Sequence, residues 1–174
     1  LCPSFTFFAT AGSIARAGAT PVFVDSHADT FNLNLESAAD RVTDKTKAII
    51  PVHLFGQAAD MDAVGALAEE HGLKIIEDAA QAQGARCGEK PVGGLGDFGA
   101  LSFYPTKNLG ALGDAGALVT DNKELYKACR KMANHGAADK HTHEFPGMNS
   151  RMDTLQAAVL SLKLNFIDEW NGQR

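Results

Sequence analysis

The chain has 174 residues, 45% hydrophobic, 21% charged and 7% aromatic, a globular balance that excludes a disordered or collagenous segment. Its 16 basic and 21 acidic residues are scattered to a net charge of −5, leaving no basic stripe for nucleic acid, and no apolar run approaches the roughly 18 residues of a membrane span. Cys2, Cys87 and Cys129 are odd in number and far apart, which excludes a secreted disulfide scaffold and fits reduced thiols in the cytoplasm.

Apolar periodicity then switches repeatedly between strand-like and helix-like stretches. That is the pattern of an α/β fold, a mostly parallel sheet with helices on both faces. Residues 20–24, 48–53 and 73–77 are short β-branched runs bounded by turn residues and read as buried strands, the second weakened by Pro51. Between the last two, residues 61–71 set Met61, Val64, Leu67 and Ala68 on one helical face. Asp60 is placed to cap the start and Gly72 to stop the end, which makes a βαβ unit.

A glycine-rich turn over 93–99 leads into strands expected over 100–104 and 116–120, joined by a loop that contains Lys107. Asp121 precedes a helix expected over 123–133, with Glu124 three residues on as a capping box. After a polar stretch over 134–147, Ser150 and Asp153 are expected to start a last helix. Its Leu155, Ala158, Val159, Leu162, Phe166 and Trp170 recur every three or four residues, which assigns the aromatic pair to the core. The chain opens at Leu1 without an initiator methionine and closes just after that pattern, so an internal piece of a longer protein is expected.

Two residues suggest chemistry together. Asp78 closes the apolar run Ile75-Ile76-Glu77, and ligands of open α/β sheets gather at the carboxyl ends of strands. Lys107 lies in a loop beside another strand end. Separately they are a capping aspartate and a solvated lysine. As a pair, a carboxylate can keep a pyridine nitrogen protonated while an amine condenses with the same ring's aldehyde, which is what pyridoxal phosphate requires.

The motifs around this pair resemble the DegT/DnrJ/EryC1/StrS sugar aminotransferases, a group of fold-type-I pyridoxal-phosphate enzymes. They run in order as Pro3-Ser4-Phe5-Thr6-Phe7, Pro51-Val52-His53-Leu54-Phe55-Gly56, Glu77-Asp78-Ala79-Ala80-Gln81 and Ser102-Phe103-Tyr104-Pro105-Thr106-Lys107-Asn108-Leu109-Gly110. Gly147-Met148-Asn149-Ser150-Arg151-Met152-Asp153 and Leu155-Gln156-Ala157-Ala158 complete the set, so the likeness spans nearly the whole chain.

The resemblance implies that Lys107 forms the Schiff base and that Asp78 pairs with the pyridine nitrogen. It further implies that Gln81 approaches the ring's phenolic oxygen, Phe7 stacks on the ring and Ser102 binds the phosphate. Asn149 is expected to reach the phosphate of a neighbouring subunit, in a homodimer with a shared active site. Taken alone, Phe7 reads as a core aromatic, Ser102 and Gln81 as ordinary polar residues and Asn149 as a helix-start residue. The same likeness sets residues 1–174 in the central part of the large domain, with a phosphate-binding loop upstream and a small C-terminal domain downstream. Ala115 stands where the family often has a second glycine.

The expected reaction is transfer of an amino group, from L-glutamate, to a nucleotide-linked keto-deoxy-sugar in the cytoplasm. Gln81 tips the position toward carbon 3 over carbon 4, by analogy with relatives. Dehydratase relatives carry histidine in place of the Schiff-base lysine, so Lys107 favours transamination over that alternative. A non-catalytic binding or regulatory protein on the same scaffold would need neither Asp78 nor Lys107. Gly94-Leu95-Gly96-Asp97-Phe98-Gly99 matches G-x-G-x-x-G, but it leads into a strand-like run where a dinucleotide site needs a helix. His135, His141 and His143 lack a spacing that completes a metal site, so no metal is expected. Cys87 has no histidine partner in sequence reach, which argues against a nucleophile.

Overall fold

Short apolar runs pair in parallel, and the helical stretches between them cross the sheet. In the computed structural model, which describes residues 1–174, β1 (Cys2–Pro3) and β2 (Phe23–Val24) form a parallel pair connected by α1 (Phe8–Arg16). Next come α2 (Leu35–Ala39), β3 (Ala48–Ile49), a single 3-10 turn at Leu54–Gly56, α3 (Met61–His71) and β4 (Lys74–Asp78). The hairpin β5 (Arg86–Cys87) and β6 (Lys90–Pro91) precedes β7 (Phe98–Ser102), β8 (Gly116–Val119) and α4 (Lys123–Met132). The chain ends in α5 (Thr154–Lys163), a 3-10 turn at Leu164–Phe166 and α6 (Ile167–Gly172). No helix is long and apolar enough to cross a membrane.

The main sheet has the order β3-β4-β7-β8, parallel except for β7 against β8. The Leu1 nitrogen donates to the Ala48 carbonyl and Ile50 N–H donates to the Leu1 carbonyl, which brings the β1–β2 pair alongside β3. Side chains alternate across a strand, and this parity sorts the two faces. Ile49 and Ile75 pack with Met61, Val64 and Leu67 of α3, whereas Ile50, Val52, Ile76 and Asp78 line a cavity walled by α1. Helices α1 and α3 therefore cover opposite faces of the sheet.

Local signals explain most boundaries. Asp60 Oδ1 accepts from Ala63 N–H, and Gly72 ends α3 at φ +63°, a left-handed position that a side chain would strain. The cap of α4 is Asn122 and not Asp121, because the Asn122 side chain accepts from the N–H groups of both Glu124 and Leu125. The strand expected over 48–53 pairs regularly only at Ala48–Ile49. Pro51 has no N–H to donate, yet Asp78 N–H donates to the Pro51 carbonyl and His53 N–H to the Asp78 carbonyl, so contact with β4 resumes beyond it. Asp97 pins β4 against β7 by accepting from Lys74 Nζ at 2.8 Å and Ile75 N–H at 2.9 Å. Partial burial pushes its carboxyl up, but these bonds outweigh that effect and hold it below the usual range.

The last helix departs from the expected packing. Leu155, Leu162 and Phe166 are exposed, while Leu160 and Ile167 are the buried residues, packed with Leu109 and Ala111. A 3-10 turn over 164–166 splits the expected helix and changes its angular phase, so no single 3.6-residue stripe runs its length. Phe166 and Trp170 stack on each other, ring centroids 5.9 Å apart, at the surface side of this element instead of in the core.

The most connected buried group is Glu77, which has no exposed surface. Its Oε2 accepts from His53 Nε2 at 3.0 Å and Gly93 N–H at 2.7 Å, and its Oε1 from Leu95 N–H at 2.6 Å and Gly96 N–H at 2.7 Å. His53 Nδ1 accepts from Ala59 N–H, so the proton sits on Nε2 and the ring is a neutral donor. Burial pushes the Glu77 carboxyl up, but bonds from His53, Gly93, Gly96 and Leu95 outweigh it and hold the group below its ordinary value. The turn that delivers these donors also needs Gly99, where a Cβ would strike the Gly93 carbonyl.

A Glu77→Gln substitution sets an amide NH2 against backbone donors, and should destabilise the protein carrying this chain by about 3 kcal/mol in urea unfolding. Because the Glu77 carboxyl is depressed in the folded state, its contribution is complete above the unfolded value near ~4.3 and lost as pH falls through the folded one. The acid limb of the wild-type stability profile should therefore be steeper than that of Glu77→Gln. Equal limbs would show that the carboxylate is not the anchor.

Candidate active site

A cavity of about 680 Å³ lies at the carboxyl ends of β4 and β7, with α1 as its wall. This is where an open α/β sheet leaves room for a ligand, and the volume is that of a small-molecule site. Phe7, Asp78, Gln81, Ser102 and Lys107 all line it, brought together from the start of α1, the ends of β4 and β7 and the loops that follow them. Asn149 does not. It is exposed in the loop before α5, where its Oδ1 accepts from Arg151 Nε.

Each lining residue is held so that part of its bonding capacity remains free. Asp78 Oδ2 accepts from Thr10 Oγ1 at 2.7 Å and its Oδ1 from Ala80 N–H at 3.2 Å, which leaves lone pairs on both oxygens. Gln81 Oε1 accepts from Phe55 N–H at 2.9 Å, so its amide NH2 remains available as a donor. That contact depends on Phe55 adopting φ +56° in the turn at Leu54–Gly56. Ser102 Oγ accepts from Tyr104 N–H at 3.3 Å and keeps its own proton free, while Gln83 Nε2 donates to the Ser102 carbonyl and steadies the strand end.

Lys107 sits in a turn closed by its N–H to the Tyr104 carbonyl, and its ammonium makes no hydrogen bond or ion pair with the rest of the chain. Phe7 is 72% exposed at the N-terminal edge of α1, so its ring is a free face at the cavity and no part of the core. A second cavity of about 640 Å³ shares Gln81 and Lys107 and continues toward Gln83, Asn108 and Asn171. The donor set suits a phosphorylated pyridine aldehyde: an unpaired amine, a carboxylate, an amide donor, a hydroxyl donor and an aromatic face.

Sequence reasoning missed Thr10, which reaches Asp78 from α1, and Thr6, which bonds Thr10 from the segment before that helix, and it missed α1 itself. The signal was a pair of threonines four residues apart flanking Phe7, at the head of a short run too rich in small residues to show an apolar stripe. The glycine motif over 94–99 follows a turn and enters β7, and its own Leu95 and Gly96, with Gly93 just before it, donate to Glu77. A turn of converging N–H groups suits an anion, and here the chain's own carboxylate fills it. Cys87 lies in the β5–β6 hairpin and packs against the core. The methyl group of Ala115 is accommodated against the cluster of Leu109, Ala111, Leu160 and Ile167.

The family description "DegT/DnrJ/EryC1/StrS aminotransferase family" matches residues 1–174. The chain is 56% identical over 171 residues to a pleiotropic regulatory protein of Geobacillus stearothermophilus, covering 98% of this chain and 46% of the relative. It is 47% identical over 174 residues to the dTDP-3-amino-3,4,6-trideoxy-alpha-D-glucose transaminase of Streptomyces venezuelae, covering all of this chain and 46% of the relative. The crystal structure of S. venezuelae DesV in complex with a ketimine intermediate superposes with a TM-score of 0.94 at 47% identity, covering 98% of this chain and 46% of that one. The chain thus spans less than half the length of the curated relatives it matches.

The bond from Phe55 N–H to Gln81 can be tested by itself. Gln81→Leu removes the acceptor, and the Phe55 amide should exchange with deuterium roughly tenfold faster, the worth of one ordinary hydrogen bond. Unchanged exchange would show that the turn does not orient Gln81.

Proposed function

The chain belongs to the DegT/DnrJ/EryC1/StrS aminotransferase family, and from that premise we propose that it carries the cofactor-binding centre of a pyridoxal-phosphate-dependent transaminase. The substrate in this reading is a nucleotide-linked keto-deoxy-sugar aminated at carbon 3, with L-glutamate as donor. The observation that carries it is the convergence of Phe7, Asp78, Gln81, Ser102 and Lys107 on one cavity. The 3-amino sugar in the name of the Streptomyces relative supports the position.

Because the relatives are about twice as long, residues 1–174 are read as the central part of the large domain. The phosphate loop and the small C-terminal domain belong to the rest of the protein. Two copies form a homodimer in which Asn149 reaches the neighbour's cofactor phosphate, and the three unpaired cysteines suit the cytoplasm.

When bound, pyridoxal phosphate supplies an aldehyde carbon that bonds amines and an electron-poor ring that draws charge from the reacting carbon. Lys107 Nζ would hold that aldehyde and, as a free amine, would move a proton to and from the substrate carbon. Asp78 keeps a proton on the ring nitrogen, an electrostatic task that an uncharged amide cannot perform. Gln81 would donate its NH2 to the ring oxygen, Ser102 would donate its hydroxyl to the phosphate, and Phe7 would cover a ring face and exclude water from it.

The 56% identical relative named as a pleiotropic regulatory protein supports a second reading, a regulator that binds the same ligands without turning them over.

Borohydride reduction of the full-length protein with pyridoxal phosphate, followed by peptide mapping, should label Lys107; label elsewhere would overturn the assignment. Asp78→Asn should retain labelling yet lose at least roughly a hundredfold in transamination. Turnover of matched 3-keto and 4-keto nucleotide sugars with glutamate decides position and class. Exclusive use of the 4-keto sugar would move the amine to carbon 4, and binding without turnover of either would select the regulatory reading.

A further inference from the structure

Asp78 is backed by an ordered line of hydroxyl groups. Thr10 Oγ1 donates to Asp78 Oδ2 at 2.7 Å, and Thr6 Oγ1 lies 2.8 Å from Thr10 Oγ1. Thr10 is only 4% exposed, whereas Asp78 opens on the cavity. A threonine hydroxyl carries one proton, and an ionised carboxylate only accepts. With the Thr10 proton committed to Asp78, the contact between the threonines must use the Thr6 proton, so the donors run from Thr6 to Thr10 to Asp78. Hydrogen bonds aligned on an anion are the short, strong kind, and each polarises the next.

We propose that Thr10, supported by Thr6, is a positioning residue for the transaminase reaction. It holds Asp78 in one rotamer so that the carboxylate meets the ring nitrogen of a pyridine cofactor in a single orientation. The proposal rests on the reading of Asp78 given above. One stretch of chain does this. Thr10 lies in the first turn of α1, Thr6 and the extended N-cap Phe7 form the segment entering that helix, and all three line the cavity. The element that offers a ring-stacking face therefore also sets the carboxylate at the ring's edge. Ala80 N–H, bound to Oδ1, fixes the second oxygen and completes a two-sided clamp. Without the hydroxyl, the terminal Asp78 torsion is broad and the carboxylate turns away from a fixed partner.

The test uses the full-length protein with Thr10→Val, which keeps the shape but not the donor, Thr10→Ser, which keeps the donor, and Thr6→Val. The probe is pyridoxamine phosphate, which cannot condense with Lys107, so its affinity reports the ring and phosphate contacts. The Kd should rise about tenfold in Thr10→Val, stay within about twofold of wild type in Thr10→Ser and fall between the two in Thr6→Val. With nitrogen-15 in the ring, the ring-nitrogen resonance should move toward that of an unprotonated pyridine in Thr10→Val and return in Thr10→Ser. Wild-type affinity and resonance in Thr10→Val, or equal changes in the Ser and Val variants, would overturn the proposal. Asp78→Asn separates the two levels. If it moves both readouts while Thr10→Val moves neither, only the role of Thr10 falls; if it moves neither, the reading of Asp78 falls as well.

Discussion

A buried carboxylate with every acceptor direction filled organises the centre of this molecule. Glu77 has no exposed surface and takes four donors, one from His53 and three from the turn before β7. An ionised carboxylate in the interior is costly unless it is fully bonded, so all four donors must assemble together. Their assembly ties the segment after β3, the end of β4 and the entry to β7 into one unit. The cavity opens at the ends of those same strands.

Strand parity then divides the work between two adjacent acids. Glu77 turns to the glycine-rich turn and is consumed by structure, and Asp78 turns to the other face and keeps lone pairs free at the cavity. A one-residue slip of β4 would exchange these roles. The register is pinned by Asp97, which bonds both Lys74 and the Ile75 backbone at the opposite end of the same strand. The rigidity of the site is therefore set by bonds that never touch a ligand.

Several large apolar side chains remain at the surface, among them Phe7, Phe8, Phe55, Leu112, Leu155 and Leu162, each about 70% exposed or more. Phe7 and Phe55 border the two cavities, so part of this surface belongs to the site itself. Leu155 and Leu162 belong to α5, which buries Leu160 on its other side against Leu109. The remaining apolar face of that helix is in keeping with the proposed dimer and with a chain that is less than half the length of its relatives.

By itself the sequence determined the α/β class, α3 with both of its caps, and the positions of Asp78 at a strand end and Lys107 in a loop, which line one cavity. Capping, helical periodicity and turn chemistry act between residues at most a few positions apart, so they can be read along the chain. The ordered motifs also carried the likeness to a family. What only the tertiary structure decided were contacts made across the sheet. The Thr10 bond to Asp78 joins residues 68 apart, and Glu77 reaches Gly93 over 16 positions. The same is true of the last helix, where Leu155 and Leu162 face outward and Leu160 and Ile167 inward because the break at 164–166 and the packing against Leu109 and Ala111 set the rotation of each half. Periodicity shows that a stripe exists, but which residues face inward depends on what the fold brings alongside, and that is settled only when the distant segments meet.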